Sequence, residues 1–159
     1  MKAYSLNDIR KSLLEKEPHE LTALSLRMAK YKKENKELLS YLLFESGDEE
    51  HYIEGIKQEM DELFAEVINN SAYKYTKQIR KILRYTNKHI KYSGAPSTQA
   101  DLLIYFCAQL QPALKKTSCP TAVKYLYEQQ FKKIDAAIAK LHEDLQYDYV
   151  KQMQALSRT

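Results

Sequence analysis

Val123, Tyr127, Phe131, Ile134, Ile138, Leu141, Leu145 and Tyr149 step by three and four through an otherwise polar stretch. On a 3.6-residue helix such positions share one face. The spacing predicts one long helix from about Ser118 through Tyr149, with Pro120 in its first turn. Ile53, Ile56, Met60, Leu63, Phe64 and Val67 give a helix over 48–69, whose acids at 48–50 suit the positive end of the helix dipole. A helix over 71–94 follows, closed by Gly94. The segment "LLIYFCAQL" is apolar almost all round, which predicts a helix buried on most sides. It starts at Ser97 or Thr98, with Asp101 as the capping partner, and Pro112 should end or kink it.

Nearer the start, Ser5 and Asp8 have capping spacing for a helix presenting Leu6, Ile9 and Leu13, which Pro18 ends. Residues 19–46 are one helix if Leu21, Leu24, Met28, Tyr31, Leu38 and Leu42 form a single stripe. The wholly polar "KKENKE" at 32–37 favours two. Gly47 is a natural C-terminal cap. The last ten residues have a weak pattern and are expected to fray. The expectation is an all-α protein of about six or seven amphipathic helices in an antiparallel array, filling one domain over 1–159. Either an irregular bundle or a short solenoid of stacked helix pairs satisfies that pattern.

Composition supports this. Only three glycines and four prolines punctuate 159 residues, too few for the turns a sheet protein needs. With 44% apolar and 29% charged residues, the chain is neither disordered nor membrane-like. The longest apolar run, Leu102 to Ala108, is far below the ~20 residues needed to cross a bilayer, and the first residues lack the apolar block of a secretory signal. Two cysteines, Cys107 and Cys119, form no disulfide framework, so a cytoplasmic location is expected.

Charge changes the picture at one place. "SAYKYTKQIRKILRYTNKHIKYSG", residues 71–94, holds seven lysines and arginines and no acid. On a helical wheel Lys74, Lys77, Lys81, Arg84, Lys88 and Lys91 fall within roughly 100° of arc, a ridge about 25 Å long. A solvated face normally mixes signs, because like charges at i, i+4 repel. The neighbouring segment 45–66 holds nine acids against Lys57 alone. Two helices packed through apolar faces would nevertheless turn Glu50, Glu54, Asp61 and Glu62 away from the ridge. The expected result is a polarised surface that attracts an oppositely charged partner.

The first expectation is therefore a non-catalytic binding module whose ridge, with Tyr85 and Tyr92, contacts an acidic protein. The second is RNA or single-stranded nucleic acid on the same ridge, with tyrosines 73, 85 and 92 and His89 stacking on bases. Contact with about five phosphates would make affinity fall a few hundredfold between 50 and 200 mM salt. The chain's +4 charge is mild for that role, and no reader motif is present.

Catalytic chemistry is thinly represented. Asp48 and His51 make one partial metal motif at a helix start, better read as capping, and no metal or cofactor is expected. Cys119, near a helix N-terminus, would have a lowered pKa, whereas Cys107 reads as core. An enzyme would need a site assembled from distant residues. Tyr105, Tyr127 and Tyr149 sit at core positions, with Tyr41 and Tyr52 at edges. A straight C-terminal helix of about 40 Å would overhang a compact domain, exposing Leu145 and Tyr149 to a second copy as a homodimer contact.

Overall fold

The computed structural model describes residues 2–68 and 70–157, in which eight α-helices and no strand occur. The protein is all-helical, with one or two helices more than the pattern predicts. Ser5 Oγ accepts the Asp8 N–H to start α1 (Leu6–Leu14). Pro18 leads α2 (Pro18–Tyr31), where its missing N–H leaves nothing unsatisfied. Lys32 is extended (φ −142°, ψ 148°) and separates α2 from α3 (Lys33–Ser40), so the polar run does mark a break. A π-helical turn, Tyr41–Glu45, follows. Gly47 is not a left-handed cap: among the described residues the positive φ belongs to Gly94.

Asp48 accepts the His51 N–H to open α4 (Glu49–Ala65). This helix ends short of the expected boundary, and Asn69 itself lies outside the described residues. Ser71 caps α5 (Ala72–Ser93), and Gly94 (φ 69°) closes it. α6 (Pro96–Leu114) starts before the expected cap, because Pro96 occupies its first turn. Thr98 is instead buried inside the helix and donates to Glu49. Pro112 lies in the last turn without stopping it there; so near a C-terminus, proline removes little of the ladder.

The long C-terminal helix does not exist. α7 (Thr121–Ile138) stops, residues 139–142 turn, and α8 (Glu143–Ser157) folds back. Ala139, Lys140 and Leu141 donate to Asp135, Ala137 and Ile138 in a tightening turn. A straight rod would carry Tyr149, Met153 and Leu156 past α6 into water. The turn buries all three. Spacing by three and four survives the turn, which is why the sequence pattern conceals it. The overhang proposed to pair with a second copy is thereby removed: Tyr149 is buried, whereas Leu145 is exposed. α8 is helical through Ser157, the last described residue.

The chain divides into two compact units between Phe44 and Glu45. In the first, α1, α2 and α3 contain no buried residue. Tyr4, Ile9, Leu13, Leu24 and Met28 line an open apolar hollow between α1 and α2. The second unit is a bundle around α6, which packs against α4, α5, α7 and α8. A central helix with four neighbours is a bundle, not a stack of pairs. Hydrogen bonds fix the directions. Tyr52 with His89 and Glu59 with Tyr85 run α4 against α5, whereas Glu49 with Thr98 and Asp61 with Gln109 run α6 along α4, and Asp101 with Tyr149 and Gln111 with Leu156 run α8 along α6. Met60, Ile79, Leu102, Leu103, Phe106 and Ile134 make the core, with Cys107 buried beside them and its thiol pushed up to about 12 by desolvation. Tyr52, expected at an edge, is buried too, as is Tyr41 of the first unit.

Candidate binding surface

The basic face of α5 follows from what the opposite face buries. Tyr75, Thr76, Ile79, Ile82, Leu83 and Thr86 are buried, and Thr86 Oγ1 lies 3.6 Å from Met60 Sδ of α4. With that stripe inward, Lys74, Lys77, Arg80, Lys81, Arg84 and Lys91 are exposed. Among the described residues none of these six is within ion-pair distance of a carboxylate.

Four of the six carboxylates of α4 are engaged elsewhere. Glu54 pairs with Lys57 at 2.7 Å. Glu59 accepts the Tyr85 hydroxyl at 2.6 Å. Asp61 accepts from Tyr105 at 2.6 Å and Gln109 at 2.9 Å, and Glu49 accepts from Ser93 and Thr98. Glu49 and Glu59 thus reach α5 at Ser93 and Tyr85, not at its six exposed cations.

Three residues of the expected contact set behave differently. Lys88 is half-buried, its Nζ 5.6 Å from the Tyr85 ring and 5.9 Å from that of Tyr92. Tyr85 is half-buried with its hydroxyl held by Glu59. Tyr92 is only 9% exposed, edge-on to His89 with centroids 5.5 Å apart. It belongs to the α4–α5 packing and is withdrawn from the contact surface. His89 is part of the same aromatic cluster, sharing a 2.8 Å hydrogen bond with the Tyr52 hydroxyl. Of the tyrosines considered for base stacking, Tyr73 remains well exposed, at 77%.

Sequence reasoning missed Arg80, which lies just beyond the arc of the ridge, one turn from Arg84. With Lys77 and Arg84 it borders a groove of about 450 Å³ whose far wall is Leu126 of α7 and whose α5 wall includes Leu83 and Asn87. The signal available was its place at i+3 from Lys77 and i−4 from Arg84. The partner wall, from a helix over forty positions away, was not readable.

The candidate catalytic groups lie apart. Burial pushes the Cys119 thiol up, against the opposing pull of Lys124, so the expected lowering at a helix N-terminus does not occur. The hollow beside Cys119, about 620 Å³, is shared with Asp61, Tyr75 and Lys116 and has no histidine in its lining. His142 sits near Asp144 at 3.4 Å on an exposed turn, while the Asp48–His51 pair is a helix cap. Among the described residues no helix is long and apolar enough to cross a membrane, and no three His, Cys, Asp or Glu side chains cluster as metal ligands would. Comparison with family models, with curated proteins and with solved structures finds no match to this chain.

Proposed function

We propose that the protein is a non-catalytic binding module that docks an acidic protein on the basic face of α5. The observation that carries this reading is the set of exposed, unbridged cations at Lys74, Lys77, Arg80, Lys81, Arg84 and Lys91. Holding like charges one turn apart costs a few tenths of a kcal/mol per pair, and an anionic partner offsets that cost while its approach is steered by the field. Two free thiols, one of them buried, suit the reducing cytoplasm.

Single-stranded nucleic acid is the second reading, and the geometry weakens it. Stacking platforms need open aromatic faces, yet Tyr92 is buried and Tyr85 is half-buried and tethered. The test is affinity capture of an acidic partner with and without nuclease, using wild type and a variant with Lys77, Lys81, Arg84 and Lys91 changed to Glu. The acidic-partner reading expects capture that survives nuclease and vanishes in the variant, with helical content unchanged. Capture abolished by nuclease, or retained by the variant, overturns it.

A further inference from the structure

We propose that the α5–α7 groove is where the basic face acquires sequence preference, and that it selects an acidic peptide carrying one large apolar side chain between carboxylates. This rests on the reading above and adds a ligand pattern to it.

The groove differs in kind from the rest of the face. Lys74, Lys81 and Lys91 project from a convex helix, where they can supply only diffuse attraction. Lys77, Arg80 and Arg84 instead border a concavity. Their spacing puts cationic groups on successive turns, with Cβ atoms about 5–6 Å apart. Two of the three are arginines, whose planar forks bind carboxylates by paired hydrogen bonds in a way lysine cannot. Between the helices the lining holds two leucines, Leu83 buried in α5 and Leu126 half-buried in α7, beside Thr76 and Asn87. No carboxylate lines the groove to compete for the guanidinium groups. Cations along one edge and leucines beneath fit carboxylates on either side of a leucine-like side chain. A bare anion such as inorganic phosphate would leave the leucines unused. A nucleotide strand would place sugars against them with little gain.

The test is fluorescence anisotropy at low salt with two labelled synthetic peptides, both rich in Glu and Asp. One has a central leucine and the other a serine in its place. Wild type is expected to bind the leucine peptide about tenfold more tightly, the scale of burying one such side chain. Leu126→Ala should shrink that preference. Arg80→Gln, an exposed change with little risk to folding, should weaken both peptides several-fold.

Equal affinity for the two peptides, or affinity indifferent to Arg80→Gln, overturns the groove. If binding then still weakens on Lys81→Gln, the broader acidic-partner reading stands without it. Binding of neither peptide overturns both. A single-stranded oligonucleotide that outcompetes the leucine peptide and ignores Leu126→Ala also overturns both.

Discussion

The Tyr149 hydroxyl donates a 2.8 Å hydrogen bond to Oδ2 of Asp101, joining α8 to the first turns of α6. It lies at the heart of the C-terminal hairpin, since Tyr149 would be far from Asp101 on a straight rod. Further along the same pair of helices, Gln111 Nε2 donates to the Leu156 carbonyl at 2.9 Å. Tyr149→Phe keeps the ring in place but removes the donor to a half-buried carboxylate. Hydrogen bonds to charged groups contribute about 1.5–3 kcal/mol. The urea midpoint should fall accordingly with an unchanged slope. A change within error would mean that burial of Tyr149, Met153 and Leu156, with the Gln111 bond, holds the hairpin without it.

Asp101 should leave a distinctive mark on the pH dependence of stability. Burial raises its pKa above the ordinary 3.8, partly countered by the Tyr149 bond and by Lys57. The folded state therefore holds this proton more tightly than the unfolded chain does. Its contribution to stability is fully present below about pH 3.8 and is lost as pH rises through the higher folded value. Asp101→Asn cannot titrate and still accepts from Tyr149. Urea midpoints from pH 3.5 upward should show the stability of wild type relative to Asp101→Asn declining as pH rises. A relative stability that increases with pH would contradict the assigned direction.

Crowded cations on α5 should cost stability in the isolated protein. Lys81 lies four residues from Lys77 and three from Arg84, all exposed. Lys81→Gln keeps helix propensity nearly constant and removes both repulsions. We expect a gain of about 0.2–0.5 kcal/mol at low ionic strength, vanishing in 1 M salt, where screening acts over about 3 Å. Destabilisation at low salt would show that Lys81 has an anionic partner within the chain.

The first unit should open more readily than the bundle. α1, α2 and α3 bury no residue, whereas α6 buries eight. Exchange protection follows burial and local contact density, so amide hydrogens of α1 through α3 should exchange orders of magnitude faster than those of Leu102, Leu103 and Phe106. Equal protection would require a covering for the apolar side chains of α1 and α2 in solution.

Local signals along the chain marked several helix ends, although Gly47 carries the same signal as Gly94 without a left-handed φ. Ser5, Asp48, Ser71 and Gly94 each mark a helix end because a side-chain oxygen or a left-handed φ is needed there. Pro96 was overlooked in favour of Thr98, although proline in a first turn is an equally strong signal. The α7–α8 turn was invisible for a different reason. Its residues carry no Gly or Pro, and the apolar spacing runs on unbroken from Ile138 through Leu141 to Leu145. Only the tertiary demand to bury Tyr149 and Met153 selects the hairpin. The basic face was legible because sign and spacing are local properties of one helix. Tyr92 and Arg80 exchanged roles because their surroundings come from α4 and α7, which the wheel of α5 cannot contain.

Zero-length carbodiimide cross-linking, read by peptide mass spectrometry, addresses the openness of this face most directly. In the isolated protein, Lys74, Lys77, Lys81 and Lys91 should yield no links to the carboxylates of α4. With an acidic partner present, the same lysines should dominate the intermolecular links. Abundant internal links from these lysines to Glu54, Glu59 or Glu62 would contradict the account, as would partner links confined to other parts of the chain.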